Sequence, residues 1–153
     1  MPNVGDPAPD FTLHDQNGDA VTLSSLKGQP IVLYFYPKDD TPGCTTEACA
    51  FRDARSDYEQ AGAKVIGVSP DDVDSHKKFV DKYQLPFTLV ADPEKTLCEA
   101  YGVWKEKNMY GKKSWGVERT TFVIDRNGTI ARVFRRVRVD GHSQKVLETL
   151  QSL

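Results

Sequence analysis

The chain has 153 residues, the length of one ordinary domain, and its 39% hydrophobic content against 27% charged is enough to build a core. Lys+Arg 20 against Asp+Glu 22 leaves a net charge of −2, so the chain as a whole lacks the basic footprint of a nucleic-acid binder. No apolar run approaches the ~20 residues that span a bilayer, and the N-terminus has neither a basic region nor an apolar one, which predicts a cytoplasmic, reducing compartment.

No repeat, low-complexity stretch or linker interrupts the chain, which predicts a single domain over 1–153. Phe11–Leu13 and Val21–Leu23 flank a turn at Asn17-Gly18, a favoured hairpin dipeptide, and predict an N-terminal β-hairpin. Ile31–Tyr36 is a continuous apolar run, as expected of a strand covered on both faces. A loop from Pro37 to Pro42 follows. From Gly43 to about Gln60 the pattern is helical, with Ala48, Phe51 and Tyr58 on one stripe. Val65–Val68 reads as a second buried strand. Asp71–Tyr83 reads as a helix with Val73, Val80 and Tyr83 on its apolar face. Phe87–Val90 reads as a third strand, and Glu94–Tyr101 as a short helix after Pro93. Val103–Glu118 has mixed signals and reads as loop with at most a short strand. Its aromatics, Trp104, Tyr110 and Trp115, with Met109, suit a pocket wall or an exposed partner patch equally. Thr121–Ile124 and Thr129–Val133 are strands around Asn127-Gly128. Ser143–Leu153 closes as a helix with Val146, Leu147, Leu150 and Leu153 inward. This order predicts an α/β domain of thioredoxin-like arrangement: a mixed central sheet flanked by helices, with the Pro37–Pro42 loop at a carboxyl end of the sheet.

Three cysteines, Cys44, Cys49 and Cys98, make a poor disulfide scaffold for a reducing compartment. They are inert thiols or redox-active ones. Thr41 is placed to cap the first long helix, with Pro42 at its first position. Gly43 lets a ligand approach the backbone, and Cys44 falls in the first turn, where orphan amides and the helix dipole favour an anion. The thiolate is the nucleophile. A thiol of pKa ~8.5 is ~3% ionised at neutral pH, whereas one lowered to ~6 is ~90% thiolate. The same amides can stabilise charge developing on a substrate oxygen. Cys49 lies five positions on, not the two-residue gap of thioredoxin-type pairs. In an intact helix that spacing puts the Cα atoms ~8.7 Å apart, beyond the ~7 Å limit for a disulfide. Pairing therefore requires the first turns to unwind.

The string Pro37…Thr41-Pro42-Gly43-Cys44-Thr45-Thr46-Glu47-Ala48-Cys49 resembles the active site of a peroxiredoxin, of the bacterioferritin comigratory protein or peroxiredoxin Q subfamily. Gly5–Phe11, Glu118–Asp125 and Val137–His142 resemble it too, in the family's order along nearly the whole chain. The resemblance implies a thiol-dependent peroxidase acting on hydrogen peroxide and organic hydroperoxides, without metal or bound organic cofactor. It implies that Cys44 is the peroxidatic cysteine, which becomes a sulfenic acid, and Cys49 the resolving one, which condenses with it. It implies that Thr41 bonds the thiolate and the peroxide, that Pro37 shields the pocket and that Arg119 sustains the thiolate and orients the peroxide. Gly43 and Cys44 would hold the peroxide through their amides. Thioredoxin or a similar dithiol is the implied reductant. A resolving residue in the same chain makes a monomer workable.

Arg119 opens a strand expected to be central, and its guanidinium is a fixed positive charge; a surface-edge arginine fits the sequence equally. Cys98 is expected to be a buried bystander, although it rivals Cys49 for the resolving role. His14, His76 and His142 show no metal-ligand spacing, and His76 reads as a packing residue. Arg132, Arg135, Arg136 and Arg138 read as a charged edge strand. Two other functions remain open at this level: a protein dithiol–disulfide oxidoreductase, and a redox-switched binding module.

Overall fold

The computed structural model describes residues 1–153, apart from the Met109 side chain. The N-terminal hairpin is β1 (Thr12–His14) and β2 (Ala20–Thr22), followed by a short 3-10 turn and β3 (Ile31–Phe35). Next come α1 (Pro42–Asp53), α2 (Arg55–Gln60), β4 (Lys64–Ser69), α3 (Val73–Tyr83), β5 (Thr88–Ala91) and α4 (Thr96–Ala100). A second hairpin of β6 (Trp104–Met109) and β7 (Lys112–Val117) precedes β8 (Thr120–Ile124), β9 (Ile130–Phe134) and α5 (His142–Gln151). Among the described residues, no helix is long and apolar enough to cross a membrane.

The central sheet has five strands in the order β5-β4-β3-β8-β9. β3, β4 and β5 run parallel; β8 and β9 are antiparallel to their neighbours. All five residues of β3 are buried, because both faces of the sheet are covered. Ile31, Leu33 and Phe35 enter one core with Leu97 and Cys98 of α4. Val32 and Tyr34 enter the other, with Phe51 of α1, Tyr58 of α2, Phe79 of α3 and Val146 of α5. The expected mixed sheet flanked by helices is therefore present, four helices on one face and α4 on the other.

Several sequence expectations need correction. Val103–Glu118 is a regular hairpin, not a loop: Trp104 pairs with Val117 and the register runs to Met109 opposite Lys112. Its turn, Tyr110-Gly111, has both residues at positive φ (55° and 78°), the geometry of a tight hairpin turn built without the usual Asn-Gly or Asp-Gly pair. One face carries Trp104, Trp115 and Val117, but Glu106, Asn108 and Lys113 lie on that same face, so the alternation is too short to betray a strand. Trp115 is 60% exposed and Tyr110 98%, so neither lines a pocket wall, while Met109's side chain lies outside the described residues. The long helix from Gly43 is two helices, broken at Ala54 (φ −92°, ψ 11°). α3 starts at Val73 behind Asp72, which caps it by accepting the Ser75 N–H, and its buried residues are His76 and Phe79 rather than Val73. α4 starts at Thr96, and the Asp92 carboxylate, not Pro93, organises it by accepting the N–H groups of Leu97 and Cys98. Leu153 is 55% exposed, past the end of α5.

Gly67 marks a close approach within the α1/α3 core. A methyl group there would sit 2.8 Å from Leu89 Cδ2 and 2.9 Å from the Tyr34 ring. Gly67→Ala is expected to destabilise the fold by about 1–3 kcal/mol, the usual cost of overpacking, read as a lowered urea midpoint at unchanged slope.

Candidate active site

The sheet brings the pieces together at one end. β3 and β8 are antiparallel with Phe35 opposite Thr120, so the carboxyl end of β3 meets the start of β8. Arg119 immediately precedes β8 and so lies beside the loop that leaves β3. The Arg119 carbonyl accepts the Val137 N–H at 3.0 Å, which fixes its backbone. On the other side of β3, the parallel strand β4 ends in Ser69, and its loop delivers Asp71 to the same end of the sheet.

Cys44 sits at the third position of α1, behind Thr41 in extended backbone (φ −100°, ψ 156°) and Pro42 in the first turn. The Thr45 N–H closes onto the Thr41 carbonyl at 2.8 Å, leaving the Gly43 and Cys44 amides upstream of that bond. Thr41 does not cap them with its side chain: its hydroxyl donates to the Lys38 carbonyl at 2.8 Å. The sulfur is covered, with Cys44 2% exposed, yet Pro42, Gly43 and Thr46 around it are exposed and Thr41 and Pro37 are half-buried. Only a thin layer separates it from solvent.

One guanidinium binds the sulfur. Arg119 Nη2 donates to Cys44 Sγ at 3.3 Å, and its Nη1 donates to Glu47 Oε1 at 2.7 Å. Gly43 is what makes room, since a side-chain carbon there would lie 3.2 Å from Nη2. Burial alone works against the charge on Arg119, but Glu47 and Cys44 outweigh it and hold the guanidinium on. Glu47 is 1% exposed and its Oε2 has no hydrogen-bond partner among the described residues. Burial pushes its carboxyl up to about 7, against the pull of Arg119. Glu47 was missed in the sequence, although it lies one helical turn after Cys44 and so on the same face.

The Pro37–Pro42 loop is wired to α3. The Asp39 carboxylate, 7% exposed, accepts Tyr36 Oη at 2.6 Å and Ser75 Oγ at 2.8 Å, and pairs with His76 Nδ1 at 2.6 Å. His76 Nε2 faces the Val90 carbonyl at 2.9 Å; a carbonyl only accepts, so Nε2 donates. His76 thus occupies the helical packing position expected, fully buried on α3, and is fully hydrogen-bonded as well. Asp39, Asp71 and His76 lie close enough to share a cation, but their polar atoms are already engaged with one another and with neighbours. Asp40 takes a left-handed conformation (φ 56°), held by Lys82 Nζ and Tyr83 Oη, each at 2.8 Å.

Cys49 is half-buried on α1, and all three cysteines are free thiols. Cys98 is fully buried in the core on the opposite face of the sheet from Cys44. Burial, with Asp92 beside it, pushes its thiol far above the ordinary range. The sheet separates it from Cys44, and its burial is as expected. His142 is buried and bonded to Thr121 Oγ1 at 2.8 Å. Arg132 lies in β9, the edge strand of the sheet; Arg135, Arg136 and Arg138 follow it, and Arg136 pairs with Glu118 at 2.9 Å.

Comparison with known proteins agrees with this geometry. The AhpC/TSA family matches residues 4–133. Peroxiredoxin Bcp of Bacillus subtilis is 49% identical over 150 residues, 98% of this chain and 96% of that protein. PrxQ of Xylella fastidiosa, solved as a cysteine-to-serine mutant, superposes with a TM-score of 0.94 at 40% identity, covering 99% of this chain and 97% of the other. The bacterioferritin comigratory protein of Xanthomonas campestris, solved as a trapped intermediate/ligand complex for its alkyl peroxide reduction activity, superposes at 0.89 with 44% identity over 93% of this chain and 90% of the other. The chain belongs to the AhpC/TSA family: it is a peroxiredoxin of thioredoxin-like fold, a thiol-dependent peroxidase whose substrate is a peroxide.

The Glu47 carboxyl carries a pH signature. Its value in the fold, about 7, lies above the ordinary 4.5, so the folded chain keeps a proton that the unfolded chain releases. Its contribution to stability is complete below about pH 4.5 and is lost as pH rises through about 7, on the order of 3 kcal/mol. Thermal unfolding of Glu47→Gln across this window is expected to lack that part of the slope. The slope is the readout, because the unpaired Arg119 offsets the variant at every pH.

Proposed function

We propose that Cys44 is the peroxidatic residue and Cys49 the resolving one, in a cycle recycled by thioredoxin or a similar dithiol. The observation that carries this is the Arg119 Nη2 to Cys44 Sγ contact of 3.3 Å at the amino end of α1. The Cys44 thiolate attacks one oxygen of the peroxide and the O–O bond breaks. The sulfur becomes a sulfenic acid, and the leaving alkoxide or hydroxide takes a proton from solvent. Arg119 and the Gly43 and Cys44 amides face the charge that develops on the leaving oxygen. The Thr41 hydroxyl has one proton, already donated to Lys38, so its oxygen serves as acceptor for the peroxide O–H. Thr41 thus binds the peroxide rather than donating to the sulfur. Pro37, half-buried at the end of β3, shields the pocket.

The Cys49 thiolate then attacks the Cys44 sulfur, forming the disulfide and releasing hydroxide, which solvent protonates. This step unwinds the first turns of α1, because ~8.7 Å between Cα atoms exceeds what a disulfide spans. The dithiol reductant restores both thiols. The Xanthomonas campestris relative reduces alkyl peroxides, which favours organic hydroperoxides beside hydrogen peroxide as substrates here. We take residues 1–153 as one domain, since one sheet carries both cores. The cycle needs no second copy and no oxidising compartment, which fits a cytoplasmic monomer.

Cys44→Ser is expected to abolish peroxide consumption in the presence of dithiothreitol; retained turnover overturns the assignment. Cys49→Ser should react once and then stop, with mass mapping showing a sulfenic acid on Cys44 instead of a Cys44–Cys49 linkage. A Cys44–Cys98 linkage in the native chain would pass the resolving role to Cys98. Arg119→Ala should slow the peroxide step by about 10²–10³-fold in stopped-flow kinetics at pH 7, the usual loss for a missing charge-stabilising donor.

A further inference from the structure

We propose that Asp71 is a positioning residue for Thr41, acting through the peptide group that joins Lys38 to Asp39. The inference rests on the acceptor role given to Thr41 above. The two ends of that one peptide are both engaged. Its N–H, on Asp39, donates to Asp71 Oδ2 at 2.8 Å. Its carbonyl, on Lys38, accepts the Thr41 hydroxyl at 2.8 Å. A peptide group is planar, with N–H and C=O pointing in opposite directions, so fixing the first aims the second.

Asp71 therefore sets the direction in which the Thr41 proton is held. The bond to a carboxylate is the strong kind, and bonds in a chain polarise one another. Electron density drawn toward the Lys38 carbonyl makes it a better acceptor for the Thr41 proton. The Thr41 oxygen is then presented to the peroxide by its lone pairs alone. If the peptide turned, the hydroxyl proton would be free to point at the sulfur and the acceptor would be lost. Asp71 is itself aimed: Ser69 Oγ donates to the same Oδ2 at 2.6 Å, and the Asp71 N–H returns to Ser69 Oγ at 3.2 Å. None of these atoms belongs to α1.

The loop has a second anchor that does not pass through Asp71. The Asp39 carboxylate is held by Tyr36, Ser75 and His76. Removing the Asp71 carboxylate therefore frees the peptide to rotate without releasing the loop.

The test is a double-mutant cycle on the full chain, read by stopped-flow reduction of cumene hydroperoxide and by iodoacetamide alkylation of Cys44. Asp71→Ala is expected to lower the second-order peroxide rate about tenfold while alkylation changes by less than about twofold. Asp71→Asn, which keeps an acceptor oxygen, should recover most of the loss. In a Thr41→Val background Asp71→Ala should cost nothing further. An equal fall in peroxide reduction and alkylation, an undiminished Asp71→Ala effect in the Thr41→Val background, or a full peroxide rate in Asp71→Ala each overturns the role of Asp71. A Thr41→Val variant that reduces peroxide at the native rate overturns instead the acceptor role of Thr41 on which it rests. Should Asp71→Ala fail to fold, Ser69→Ala removes the hydroxyl that aims the carboxylate and is held to the same outcomes with a smaller loss.

Discussion

Everything at this site depends on one guanidinium shared between a sulfur and a buried carboxylate. A buried charge is tolerated only when paired, and Arg119 has two candidates for the pairing. This matters because, in the cycle proposed for Cys44, the charge on the sulfur is not constant. A thiolate is negative; a sulfenic acid and a disulfide are not. Without Glu47, each oxidation would leave Arg119 facing a neutral sulfur from a half-closed site. With it, the guanidinium has a second partner, at 2.7 Å, that takes no part in the sulfur chemistry. Glu47 does this at its own expense, since its second oxygen finds no partner. The group that carries the strain is thus the one that does not react.

The strand order explains why Arg119 is there at all. A strand parallel to β3 in the place of β8 would begin at the far end of the sheet. Because β8 runs antiparallel, its first residues meet the last of β3, and a residue 75 positions from Cys44 comes within hydrogen-bond reach. The parallel neighbour β4 does the complementary thing, ending where β3 ends and sending its loop toward Asp39. The loop between β3 and α1 is therefore held from both sides of its parent strand.

Much of this was legible in the residues. The continuous apolar run of β3, the two Asn-Gly turns and the Thr-Pro-Gly-Cys helix start are local signals, and each fixed its element to within a few positions. The hairpin at β6 and β7 was not legible, because its apolar residues cluster at one end, Trp104 and Val117 with Trp115, and its turn is Tyr-Gly. The break at Ala54 leaves the apolar stripe intact, so periodicity passes over it. At the site, Cys44 and Gly43 stand out by position. Asp39, Asp71 and His76 do not, because their meaning lies in pairings across 32 and 37 residues that no local pattern encodes. Thr41 was read correctly as the N-cap residue before Pro42, but its hydroxyl does not make the capping bond; which acceptor or donor a hydroxyl chooses is decided by the fold.

That choice bears on how α1 can open. A helix start capped by a threonine hydroxyl gains about 1 kcal/mol, and a glycine inside the first turn costs up to about 1 kcal/mol against alanine. Here the hydroxyl is turned back to Lys38 and the second position is Gly43, so the first turn has neither advantage. Immediately beyond it, Glu47, Ala48 and Phe51 are buried and tie the helix to the core. Immediately before it, Asp39 and Asp40 tie the loop to α3. The weak stretch is bounded on both sides by strong ones and contains Cys44. In the proposed cycle, unwinding confined there would carry the sulfur out from under its cover without moving Thr41, and rewinding would return it to Arg119. A firmly capped helix would hold Cys44 in place but would resist the movement that the proposed Cys44–Cys49 disulfide requires.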